Sequence, residues 1–157
     1  MSNIQVSPIT QEEEIPCMLL PLVGITLLVP NVSVAEMAPI QPLSRQDHHP
    51  TWMLGFYDWR ERQVPVLSYE VLSGQEKPRP NPRGRIAVLN NTGVSDTLPF
   101  IAITTEGIPR MVRVSSEDII ENDEKEKKAY DLMTVVVGME NLVVPNITAL
   151  EKAYLTL

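Results

Sequence analysis

Cysteine and histidine are nearly missing from this chain, which holds one cysteine, Cys17, and two histidines, the adjacent pair His48 and His49. A lone cysteine excludes an internal disulfide and any cysteine cluster, and it fits a reducing compartment. Neighbouring histidines on a strand point to opposite sides, and no His-x-x-x-His adds further ligands. No metal site is therefore expected, and the pair reads as part of a solvated loop. Cys17 lies in an apolar run and reads as a small core hydrophobe. There is no Gly-x-Gly-x-x-Gly, no phosphate loop and no Gly-x-Ser-x-Gly elbow, so the motifs that would announce a nucleotide cofactor or an elbow serine are missing. No cofactor is expected. Val88-Leu89-Asn90-Asn91-Thr92-Gly93 has the outline of an aspartic-protease turn, but Asn91 stands where the carboxylate must be, and an amide cannot share the proton of a dyad.

Positive charge is also short. Thirteen Lys and Arg stand against 20 Asp and Glu, for a formal net charge of -7. With no basic stripe, counterion release from phosphate cannot drive binding, so neither nucleic acid nor anionic lipid is expected as a partner. The one long apolar run, Ile15 to Val29, is too short for a span and is interrupted by Pro16, Pro21 and Gly24. Direct membrane insertion is not expected. Residues 1–14 are polar, end in Glu12-Glu13-Glu14 and lack a basic n-region, so they read as a mobile tail rather than a signal peptide.

Proline, by contrast, is abundant: 14 among 157 residues, spread too evenly for long helices. The length predicts one domain, here 15–157, burying roughly 70% of its unfolded surface. Hairpins follow one another. Cys17–Val23 and Ile25–Pro30 flank a Gly24 turn, Val32–Met37 continues extended, and 38–51 reads as a loop. Thr51–Leu67 reads as two strands around a polar turn, the second ending near Leu72. Pro65 is expected at a sheet edge or strand start because it cannot donate to a ladder. Ser73 to Gly84, with Pro78, Pro80 and Pro82, is the clearest linker and separates a first group of strands, about 15–72, from a second, about 85–144. Ser115-Ser116-Glu117-Asp118 suggests one capped helical turn, and 121–128 a solvated charged loop. Thr148-Ala149-Leu150-Glu151 has capping-box spacing and opens a helix over 148–157. Val23–Asn31 and Val137–Asn146 resemble each other, and Val64-Pro65 repeats their Val-Pro ending. Similar hairpins need similar punctuation; the sharper reading is two related small barrels, each closing its own edges.

Three residues are candidates for a binding site. Glu36 closes an apolar strand, where a buried and unpaired charge would be costly. Arg60 is its natural partner, with a planar fork able to hold a carboxylate by two bonds. Trp59, between Asp58 and Arg60 at a turn, is expected to be partly exposed, and tryptophan beside arginine is the composition of an interface anchor. Independent solvation of the two charges, and packing of Trp59 over a barrel end, are the plainer alternatives.

Val34-Ala35-Glu36, then Trp52-Met53-Leu54-Gly55, then Arg60 with Val64-Pro65-Val66, resembles the pattern of the CheW-like chemotaxis adaptor family. Phe100-Ile101-Ala102-Ile103 and Leu142-Val143-Val144-Pro145 extend the resemblance from about Met18 to the C-terminus. Trp59-Arg60 and Val64–Glu70 are closest in wording to the adaptors of chemosensory pili, the ChpC type. The family usually has glycine after that arginine, where this chain has Glu61, and aspartate three residues after the proline, where it has Ser68. The resemblance implies an all-β fold with minor helix: two side-by-side five-stranded SH3-like barrels and a short C-terminal helix. It implies a non-enzymatic, cytoplasmic adaptor recruited to membrane-bound receptor arrays. Its partners would be a methyl-accepting chemoreceptor and a CheA-type histidine kinase, with Arg60 and Glu36 shaping the receptor surface. A stand-alone peptide- or ligand-binding barrel is the second reading. A hydrolase using His48 or His49 is the third, since a Ser-His-Asp site assembles only in three dimensions.

Overall fold

The computed structural model describes residues 13–157. Of the expected tail, only Glu13 and Glu14 fall within it, both exposed; the rest lies outside the described residues. The elements run β1 (Ile15–Pro21), β2 (Thr26–Pro30), a 3-10 turn (Asn31–Ser33), β3 (Val34–Pro39), β4 (Met53–Trp59), β5 (Arg62–Leu67), α1 (Tyr69–Leu72) and β6 (Arg85–Asn90). They continue with β7 (Phe100–Thr105), β8 (Arg110–Val114), β9 (Ile119–Glu121), β10 (Asp131–Val137), β11 (Glu140–Pro145) and α2 (Ile147–Leu155). Eleven strands form two sheets, of six strands in the order β8-β1-β2-β11-β10-β9 and of five in the order β3-β6-β7-β5-β4. The all-β fold with a C-terminal helix is as the resemblance implied, with one strand more in the first sheet.

The division of the chain is not as expected. Ser73–Gly84 does not separate the sheets, because it lies inside the five-stranded one, between β5 and β6. The described residues enter the six-stranded sheet first, build the whole five-stranded sheet, and then return. The cause is a parallel pairing in each sheet, β2 with β11 and β5 with β7. Each joins strands far apart in sequence, which no local composition shift can mark. The Val-Pro repeats also find their place here. Their strands β2, β11 and β5 all flank a parallel pairing, and two of the three are neighbours in one sheet rather than counterparts in two barrels.

Burial on both faces explains the apolar runs. In β6, Ile86 and Val88 face one core while Ala87 and Leu89 face another. In β7, Ile101 and Ile103 pack opposite to Ala102, and in the first hairpin Cys17, Leu19 and Leu28 point away from Leu20, Leu27 and Val29. One face of each such strand fills its own sheet's interior; the other meets the opposing sheet in a shared core that also takes Leu67, Tyr69 and Leu150. Each fully buried Leu or Ile contributes about 1.5–3 kcal/mol by leaving water.

Polar groups tie the sheets around this core. The buried Glu70 carboxylate accepts from Val23 N at 3.2 Å, and Glu106 N donates to Pro21 O at 2.7 Å. The Tyr69 hydroxyl lies 2.7 Å from Asp131 Oδ1, and burial followed by that carboxylate pushes its pKa up. Buried Glu151 accepts from Thr92 N at 2.8 Å and Thr92 Oγ1 at 2.9 Å, so it does not close a capping box. The cap of α2 is Asn146, whose Oδ1 accepts from Ala149 N at 3.0 Å.

Smaller expectations are also corrected. The stretch to Leu72 is the single-turn helix α1 rather than strand, with Ser68 Oγ accepting from Val71 N at 3.2 Å. Serine and aspartate cap about equally well, so Ser68 serves as an N-cap where the resemblance usually has aspartate. Ser115–Asp118 is a turn closed by Asp118 Oδ2, which accepts from Ser115 N and Oγ at 3.0 Å each; those bonds lower the pKa of Asp118. Pro65 lies within the sheet, not at its edge, but β5 pairs with β7 only through Val66 and Leu67, so Pro65 faces no ladder on that side.

The β4–β5 hairpin turns through Arg60 and Glu61, with φ of 48° and 64°. Both central residues at positive φ define the turn whose twist suits a two-residue hairpin. Glutamate in the left-handed region costs about 1–2 kcal/mol, partly offset by the unfolded-chain freedom that glycine would add. Glu61→Gly is expected to stabilise the fold by about 0.5–1 kcal/mol in urea unfolding; a destabilised variant would show that the side chain, not the backbone, governs this turn.

A pH expectation comes from Glu70. Burial raises its pKa above the ordinary 4.5, against the opposing effect of its own and Val23 N–H groups. The folded state thus holds the proton more tightly than the unfolded chain. The stabilisation is complete below the unfolded pKa and is lost as pH rises through the folded one. In unfolding measured from pH ~4 to ~8, wild type is expected to lose stability relative to Glu70→Gln as pH rises. A constant difference across that window would mean that Glu70 does not titrate there.

Candidate functional site

Strands β3 and β4 are the two ends of the five-stranded sheet. No backbone pairing joins them. Side chains do: Tyr57 OH donates to Pro39 O at 2.8 Å, and Trp59 Nε1 donates to Glu36 Oε1 at 3.0 Å. Register shifts occur in both strands, between Val34 and Glu36 in β3 and between Met53 and Gly55 in β4. Beyond the second, alternation along β4 sends Tyr57 and Trp59 into the five-stranded sheet's own core, while Met53 and Phe56 meet the shared one. Trp59 is 7% exposed, packed edge-on against Phe100 at 4.7 Å between centroids. It is thus not the partly exposed anchor that the turn position suggested but the packed side chain of the plainer alternative. The signal was present in the sequence: Trp59 is two residues from Tyr57 and four from Gly55, on the inward period.

Arg60 completes the cluster from outside. Its Nη2 donates to the same Glu36 Oε1 at 3.1 Å, and its Cζ sits 4.7 Å from the centroid of the Trp59 ring. The expected two-bond fork is not formed. One carboxylate oxygen, Oε1, serves both the indole and the guanidinium. The Arg60 side chain remains 69% exposed and that of Glu36 40%. Solvent screening leaves such an ion pair about 0.2–1 kcal/mol. The indole N–H differs, since an orphaned buried donor costs about 1–3 kcal/mol. Glu36 is therefore structural through Trp59, while Arg60 is held in place with its remaining donors free.

The structure thus unites all three sequence candidates at one corner. It adds Phe100 and Arg62, which sequence reading missed; Arg62 Cζ lies 5.6 Å from the Phe100 centroid. Beyond them a groove of about 480 Å³ runs past Pro65 and Pro99 to Tyr154 and Leu155 on α2. A second exposed ion pair, Arg110 with Glu140, does form a two-bond fork at 3.2 and 2.6 Å and lowers the pKa of Glu140. Elsewhere, His48 is exposed and His49 half-buried against Phe56, and no group of three or more His, Cys, Asp or Glu among the described residues is arranged to hold a metal ion. No helix among the described residues is long and apolar enough to cross a membrane.

Comparison with solved structures finds a similar fold in the scaffolding protein TtCheW from Thermoanaerobacter tengcongensis. The TM-score is 0.72 at 11% sequence identity, covering 85% of this chain and 89% of that one. Comparison with curated protein sequences finds no match. The family description "CheW-like domain" matches residues 16–151, nearly the whole of both sheets and most of α2. The chain belongs to the CheW-like domain family.

Proposed function

We propose that this protein is a non-catalytic adaptor that couples a methyl-accepting chemoreceptor to a CheA-type histidine kinase. The observation that carries this reading is Arg60, a permanent cation fixed at its base by Trp59 and Glu36 yet open to solvent, at the corner where two sheet edges meet. A pre-positioned guanidinium loses little freedom on binding, so its unused donors suit a polar or acidic feature on a receptor tip. The adjoining groove beside Phe100 and Tyr154 would take apolar side chains of the same partner. The kinase would dock elsewhere, on strand ends of like fold. Each contact would be modest in area, and repetition in an array would supply the avidity. Recruitment from the cytoplasm to membrane-bound arrays follows from that arrangement. The wording around Trp59-Arg60 and Val64–Glu70 favours a chemosensory pili system driving twitching motility. A stand-alone ligand-binding module is the competing reading, and capture of a histidine kinase or receptor from lysate separates the two.

Binding of a receptor's cytoplasmic signalling fragment is expected to fall at least about tenfold in Arg60→Ala, with less than about 1 kcal/mol lost from stability. Glu36→Ala is expected to lose about 1–3 kcal/mol of stability, while Glu36→Gln, which still accepts from the indole, loses less. If Arg60→Ala unfolds but its folded fraction binds normally, Arg60 is a structural residue only.

A further inference from the structure

A cleft of about 510 Å³ lies away from the Glu36–Arg60 corner. It lies between the loop that follows β3 and the proline strap that precedes β6. Ile40, Pro42, Leu43 and Leu54 form one side, Pro78 and Pro80 the other, and buried Ile86 the floor. Its volume and apolar lining are those of small-ligand sites.

Both walls are fixed by close backbone approach. A Cβ at Gly55 would stand 2.6 Å from Ser44 O, and one at Gly84 would stand 2.5 Å from Thr105 O. Glycine at the first position lets Ser44 exchange hydrogen bonds of 2.9 and 2.7 Å with Phe56. At the second it lets the strap turn, with Gly84 N donating to Asn81 O at 2.9 Å and Asn81 Nδ2 donating to Glu106 O and Oε1 at 3.1 Å. The cleft is thus pre-formed, which lowers the cost of occupying it.

Two features select the occupant. Pro78, Pro80 and Pro82 strip the N–H groups from one edge of the strap, so an added peptide strand finds no donors along that edge. Side chains are the recognition elements that line the cleft. In a chain of net charge -7, the cations Arg45, Lys77 and Arg79 line the cleft, all exposed, and neither ion pair among the described residues uses them. The one lining carboxylate, Glu106, is engaged by Asn81.

We propose that this cleft binds a small organic anion, an apolar body ending in a carboxylate, with the body against Ile40, Leu54 and the strap prolines and the carboxylate at Lys77 and Arg79. The site is independent of the adaptor reading. The test uses octanoate and its neutral counterpart 1-octanol, titrated into isotope-labelled full-length protein and followed by amide NMR. Saturable shifts confined to residues 40–45, Leu54 and 77–82 are expected, with octanoate held at least about tenfold more tightly than the alcohol. In the double variant Lys77→Glu/Arg79→Glu, whose changes fall on exposed loop residues, that preference is expected to vanish while the alcohol binds as before. The proposal is overturned by equal affinity for the two compounds, or by an unaltered preference in the double variant. It is also overturned by shifts centred on exposed Ile108, Met111 and Met139, by no saturable response, or by an acidic peptide that binds the cleft where octanoate does not.

Discussion

One carboxylate oxygen closes the five-stranded sheet. A curled sheet whose first and last strands share no ladder has two open edges, and open edges invite pairing with other chains. Here Glu36 Oε1 receives the Trp59 indole across the gap, and the Tyr57 hydroxyl reaches Pro39 lower down. The closure is polar and partly buried, and its donors are the side chains of Tyr57 and Trp59. Whatever the corner does for binding, it first holds β3 and β4 at a fixed separation, and Arg60 inherits its position from that arrangement.

The rest of the fold is governed by strands with two buried faces. A single small sheet curled on itself offers one interior, and its outward face would ordinarily be polar. In β1, β2, β6 and β7 the outward face is apolar too, which demands a second layer. The opposing sheet supplies it, and the shared core is larger than either interior. Neither sheet would be stable with that face in water. The path of the chain enforces the same result, since the six-stranded sheet cannot form until the chain has passed through the other and returned.

Most local features were legible in the sequence. Gly24, the β4–β5 turn and the Pro-rich segment stand where punctuation placed them, and the Glu36–Arg60 pairing was argued from the cost of an unpaired charge. What escaped was non-local. The division at 73–84 failed because parallel pairings are made between strands about 35 and 115 residues apart, and a composition shift cannot report them. Trp59 stood between exposure at the turn, which its charged neighbours Asp58 and Arg60 suggest, and packing over a barrel end, and contact with Phe100 decides for packing. The cap of α2 was placed two residues late because Glu151 had the capping-box spacing but was drawn instead to Thr92. In each case a tertiary partner overrode a sound local preference.

Glu61 shows how local strain and surface chemistry trade against each other. Its φ of 64° is a conformation that glycine takes freely, and glycine is what the CheW-like pattern usually carries after the arginine. A glutamate there adds a negative charge beside Arg60 without pairing with it. The backbone cost is borne by the hairpin, whose register is set by pairings all along β4 and β5. A rigid hairpin can hold one strained residue without moving its neighbours, so the charge at the tip can change while the position of Arg60 does not. Such a tip is well suited to altering partner choice on an otherwise constant frame.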